Sequence, residues 1–244
     1  MLDELLLLSG NDIPFYQAGV SIHQPRLKEI GYIGENNFHI GSHFLVFSKN
    51  DLPEKDKVNL ENQSDFDIFM SVMNSRDKAK HKTDALMILA LLFPSAKIKI
   101  EKDKILLQLE NFSSSINKNN FNDFKQIINE IFCLNISVSD EGNYNPADDL
   151  AAKIAEKIKK AKAKKNGLKE GNLEKISVYS KYISILSVGL QKNINDLLEY
   201  TIYQLRDEFK RFRLKQDFDI YIQAKLAGAK DLEEVTNWME DIHP

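Results

Sequence analysis

Residues 173–242, LEKISVYSKYISILSVGLQKNINDLLEYTIYQLRDEFKRFRLKQDFDIYIQAKLAGAKDLEEVTNWMEDI, carry apolar side chains at helical spacing almost without a gap. Ile176, Tyr179, Ile183, Leu186 and Leu190 step by three and four, which puts them on one face of a helix. Asn193 is a capping residue type, and after it Leu197, Leu198, Thr201, Ile202, Leu205, Phe209 and Phe212 form a second face, with Arg206, Asp207, Lys210 and Arg211 turned away. Phe218, Tyr221, Ile222 and Ala224 continue an apolar stripe, so the spacing predicts a long helix running to Gly228, which can close it in the left-handed conformation. Asp231 followed by Glu234 has capping-box spacing and predicts a short last helix over 231–242, laying Leu232, Val235, Trp238 and Met239 on the preceding helices. Residues 173–244 thus read as a helical module, built as scaffold or partner surface.

Upstream, residues 141–172 form a linker of different composition. Asn145, Pro146, Asp148, Asp149, a run of lysines and Gly167 follow the order of signals that starts and stops a helix, with only a narrow apolar stripe of Leu150, Ile154, Ile158 and Ala161. Residues 1–140 read as a mixed α+β domain. Val20 and Ile22 alternate as a short strand, Pro25 opens a short helix with Leu27 and Ile30 inward, and a further helix restarts at Asn36–Asn37. Two apolar helical patterns follow, Phe66, Phe69, Met70 and Met73, then Ala85, Leu86, Ile88, Leu89 and Leu92, the second stopped by Pro94. KIKIEKDKILLQLE predicts a small β-hairpin, and Asn120 caps a helix whose stripe is Phe121, Phe124, Ile127, Ile128 and Ile131. The fold class expected is therefore α+β, predominantly helical.

The chain of 244 residues is 43% hydrophobic and 28% charged, enough for one large domain or two small ones. A net charge of -3 argues against a general nucleic-acid binder, which carries a positive excess. The single cysteine, Cys133, excludes an intrachain disulfide and reads as a packing thiol. The leucines of MLDELLLLSG follow an acidic flank with no basic region or cleavage site, so they read as a packing element and not as a signal peptide; no apolar run is long enough to span a bilayer.

Chemistry-bearing patterns are few. Glu35, His39 and His43 are spaced by four, but Gly34 and Gly41 disfavour a continuous helix there, and the histidines read as surface or packing residues with no metal bound. Phosphate-loop and nucleophile-elbow motifs are missing, so the expectation is a protein with no catalytic residues and no cofactor. The lysines between Lys153 and Lys165 have no interleaved aromatics for base stacking and read as a solvated helix face, with a nucleic-acid-associated factor as one alternative.

VSIHQPRLKEIGYIGE, FDIFMSVM with the apolar helix before Pro94, SVYSKYISILSVGLQKNINDLLEYTIYQLRDEFKRF and IYIQAKLAGAKDLEEVTNWMEDI together resemble the tail assembly chaperones of tailed bacteriophages, in particular the baseplate-hub assembly chaperone type. The resemblance implies a non-enzymatic protein of the host cytoplasm that binds tail components, the tape measure or hub subunits, alone or as a homo- or hetero-oligomer. Ile183, Leu186, Leu198, Ile202, Tyr221 and Trp238 are the residues expected to line a groove for a partner's amphipathic helix. A structural tail or baseplate subunit retained in the virion is the other reading within the same context.

Overall fold

A computed structural model describes residues 2–51, 62–75, 79–134, 177–229, 232 and 235–240. The lysine-rich stretch 141–172 and the signals assigned to it lie outside the described residues. The fold is α+β and predominantly helical, as the patterning predicts. Helix α1 (Glu4–Ser9), capped by the Asp3 side chain, leads into the strands β1 (Ile13–Phe15) and β2 (Val20–Ile22). Helices α2 (Leu27–Ile33) and α3 (Glu35–Val46) follow, and after them α4 (Asp65–Asn74) and α5 (Ala79–Leu92). Three strands, β3 (Lys97–Ile100), β4 (Ile105–Gln108) and β5 (Ser113–Ile116), form an antiparallel sheet in that order, and α6 (Phe121–Ile131) closes the first part. The C-terminal helices are α7 (Val178–Leu190), α8 (Ile194–Leu198) and the long α9 (Ile202–Leu226).

The predicted stripes are the core. Phe66, Phe69, Met70 and Met73 of α4, Ala85, Ile88, Leu89 and Leu92 of α5, and Phe121, Phe124, Ile127, Ile128 and Ile131 of α6 are all buried in one apolar cluster. Tyr179, Ile183, Leu186, Leu197, Ile202 and Leu205 belong to that same cluster, so the C-terminal helices dock on the first part and share its interior. The principal helix pair is α3 against α5. A Cβ built on Gly41 would stand 2.6 Å from Ile88 Cγ1 and 2.7 Å from the Asp84 carbonyl oxygen, so the missing side chain is what lets the two backbones meet.

Several elements differ from their sequence patterns. The helix predicted to restart at Asn36–Asn37 begins at Glu35 and runs unbroken through Gly41, because the gain from close packing on α5 outweighs the helix penalty of glycine, about 1 kcal/mol. The long helix predicted from Asn193 is two helices. Asn193 caps α8, the chain breaks at Glu199–Thr201, and Thr201 restarts it with a capping box closed by Gln204. The break is held from outside: Leu27 N donates to Tyr200 O, and Arg26 Nη1 donates to Glu199 O. Asn120 does not cap α6 with its side chain, which instead accepts from Asn117 N and donates to Ser115 O. The hairpin gains a third strand, the serine-rich β5, and β1 pairs with β2.

At its end α9 closes as expected in a Schellman motif. Gly228 takes φ +86°, its N–H donates to Lys225 O, and Ala229 N donates to Ala224 O. The last helix expected over 231–242 is absent from the described residues 235–240. Asn237 competes with it: its side chain accepts from Met239 N and its carbonyl from Glu240 N, a local turn. Trp238 is consequently half-buried and Met239 exposed, where a helical face would have placed both in the core.

Candidate partner-binding surface

The C-terminal helices are positioned by polar contacts around an apolar seam. Glu35, at the first turn of α3, aims its carboxylate at the start of α7: Val178 N donates at 2.9 Å, Tyr179 N at 3.4 Å, and the Ser177 hydroxyl donates to the same group. An anionic side chain there satisfies free N–H groups and complements the helix dipole. Phe38, one turn along α3, meets Phe132 at 4.8 Å and Tyr179 at 6.4 Å between ring centroids. Burial pushes the Tyr179 hydroxyl above the ordinary tyrosine range. On α9, Arg206 donates to the Cys133 carbonyl, and Tyr182 stacks on Phe209 at 3.9 Å. Lys192 donates to Glu208 and to the Tyr200 hydroxyl; burial opposes its charge, but these two acceptors hold its pKa above the ordinary lysine value.

The apolar faces of α9 are not one stripe. Ile202, Leu205, Phe209 and Phe212 point into the body, with Ile202 and Leu205 fully buried. Leu214, Phe218, Ile222 and Leu226 follow at steps of four; at about 3.6 residues per turn the row starts on the opposite side of the helix and drifts about 40° per step, so that Leu226 turns back towards the side of Phe212. Along that distal row exposure rises. Leu214, Phe218 and the neighbouring Tyr221 are half-buried, Ile222 is 37% exposed and Leu226 83% exposed, while Ile220 on the far side is 62% exposed. Polar groups on the same half pair among themselves, Lys215 with Asp219 at 2.8 Å and Lys225 over the Tyr221 ring at 5.5 Å. Arg211, three and seven residues before Leu214 and Phe218, donates through Nη1 to Trp238 O at 2.9 Å and to Glu240 O at 2.7 Å. Residues 235–240 therefore return along α9 and are tied beside the start of the distal row.

The residues expected to form a groove divide accordingly. Ile183, Leu186 and Ile202 are core residues that offer no surface, and Leu198 packs against the core's edge. Tyr221 and Trp238 alone lie on the outer side, both half-buried. The residues not expected in the groove are Leu214, Phe218, Ile222 and Leu226, whose signal in the sequence is the change of phase after Phe212.

Other clusters are accounted for by packing. His39 Nε2 meets Glu35 at 3.4 Å, and its ring stacks on Tyr179 and His43. Burial, and after it the neighbouring His39, lowers the His43 pKa. Among the described residues no group of three His, Cys, Asp or Glu side chains is arranged to hold a metal ion, and no helix is long and apolar enough to cross a membrane. A hollow of about 550 Å3 beside β1 and β2 is lined by Pro14, Tyr16, Phe93, Pro94 and Phe112, with His23 at its edge held by Asp12 at 2.9 Å and Glu29 at 3.2 Å. Cys133 is buried, and burial raises its thiol pKa, which leaves it a packing group.

Residues 179–243 match the family model described as the YomV second domain, of a phage-derived family, so this part of the chain is similar to a phage protein domain. The match spans α7, α8, α9 and the returning segment together. No curated protein and no solved structure matches the chain.

Proposed function

We propose that this protein is a non-enzymatic assembly factor of a bacteriophage, a tail or baseplate chaperone that holds an amphipathic helix of a tail protein against the distal half of α9. The observation that carries this reading is the row Leu214, Phe218, Ile222 and Leu226, which the fold turns away from its own core and leaves increasingly exposed. A projecting helix with one apolar row is suited to helix-in-groove recognition, with anchors at steps of three and four. The phage-derived match supports the biological setting, since it coincides with the helices that build this surface. The tape measure and the baseplate hub are the clients the family resemblance names, and the host cytoplasm is where they would meet.

Burying an aliphatic side chain contributes roughly 1.5–3 kcal/mol, so loss of two anchors lowers affinity by about 100-fold or more. Co-expression with the tape-measure or hub protein of the same phage, followed by affinity capture, is the test. Wild type captures its client, while Ile222→Ser/Leu226→Ser captures little at an unchanged melting temperature. Equal capture by the double variant removes the distal row from the function. Mass spectrometry of purified virions separates a chaperone, absent from the particle, from a structural subunit present in fixed copy number.

A further inference from the structure

We infer that residues 235–240 are a built-in competitor for the client: they cover the near end of the distal row of α9 and must leave before a partner helix can lie along it. This rests on the proposed partner role of that row. Three observations carry it. The Schellman motif at Gly228 ends α9, yet Trp238 and Glu240 lie beside Arg211, in the first half of that helix. Arg211, on the same side as the row, binds two carbonyls of the returning segment, Trp238 O and Glu240 O. Exposure along the row is lowest beside that anchor, at Leu214 and Phe218, and highest at Leu226, farthest from it.

The attachment is of the kind that yields. The Asn237 turn holds its own backbone groups without using α9, so the segment keeps its local shape on release. Among the described residues its hold on the helix rests on two hydrogen bonds from one guanidinium and on the half-buried Trp238. A client helix that buries the whole row gains the exposed Ile222 and Leu226 as well, which the short segment leaves open.

Trp238 is the chain's single tryptophan, so its fluorescence reports the segment's position directly. Full-length Arg211→Gln is expected to show red-shifted Trp238 emission and greater acrylamide quenching, with unchanged helix content. Anilinonaphthalene sulfonate, the probe for the uncovered row, is expected to bind several-fold more to Arg211→Gln and to Trp238→Ser than to wild type. Capture of the co-expressed tail protein by Trp238→Ser, which leaves α9 and the backbone carbonyls intact, rises about tenfold as the segment loses the apolar contact of its half-buried indole. Unchanged Trp238 emission in Arg211→Gln, or unchanged dye binding in both variants, overturns the inference. So does weaker capture by Trp238→Ser, since the segment would then be part of the client site. If the dye and emission respond but no form captures a tail protein, the covering role stands and the proposed function falls.

Discussion

Gly41→Ala should destabilise the protein although alanine is the better helix former. The added Cβ would meet Ile88 Cγ1 at 2.6 Å and the Asp84 carbonyl at 2.7 Å, well inside the roughly 3.5–4.0 Å at which carbon atoms rest. Ile88 Cγ1 moves only if the whole branched side chain turns about χ1, and Asp84 O belongs to the backbone of α5, so α3 and α5 must part. Overpacking of this kind costs about 1–3 kcal/mol, and a backbone obstacle places it near the top of that range. Alanine's helix preference returns about 1 kcal/mol, leaving a net loss of about 2 kcal/mol. For a chain of this size that lowers the melting temperature by about 4–8 °C. Urea unfolding should show the midpoint falling with the slope unchanged. Gly31→Ala is the control: it also lies within a helix, α2, but its Cβ meets nothing within 4 Å. That variant should gain up to about 1 kcal/mol. If both variants move the same way, close approach at Gly41 is not what the glycine is for.

Lys125 donates to Asp65 at 2.6 Å and to Phe47 O at 2.9 Å, with both charged side chains largely buried. Lys125→Met should therefore cost about 3 kcal/mol in chemical denaturation, by stranding the carboxylate, and Asp65→Asn added to it should recover part of the loss. Asp67 closes the capping box at the start of α4; the hydrogen bond from Lys118, and then those from Ser64, hold its pKa down at about 2. A folded-state value below the ordinary one means stability that is present above about pH 4 and lost as pH falls through 2. Acid unfolding followed by circular dichroism should thus be less steep in that window for Asp67→Asn than for wild type.

Much of the core was legible because α4, α6 and the β3–β4 hairpin each carry a whole amphipathic pattern in a few residues. Phe66, Phe69, Met70 and Met73 needed no distant partner to be assigned inward. The elements that escaped are those whose reason lies elsewhere in the chain. β5 is three serines and an isoleucine, a strand because β4 lies beside it. β1 contains Pro14 and is fixed by pairing with β2. The break before α9 depends on Arg26 and Leu27, far away in sequence, binding the carbonyls of Glu199 and Tyr200. Gly41 reads locally as a helix breaker because its compensation sits on α5. For the partner surface, a single stripe from Leu197 to Ala224 concealed a change of phase after Phe212, and with it the distinction between residues that hold the fold together and residues left outside it.

Phe38 touches Phe132 on one side and Tyr179 on the other, while Arg206 fastens the Cys133 carbonyl and Glu35 fastens the start of α7. The end of α6 and the start of α7 are thus riveted together at a single spot. The junction is a socket: the seat of α7 is fixed by side chains of α3, far from it in sequence.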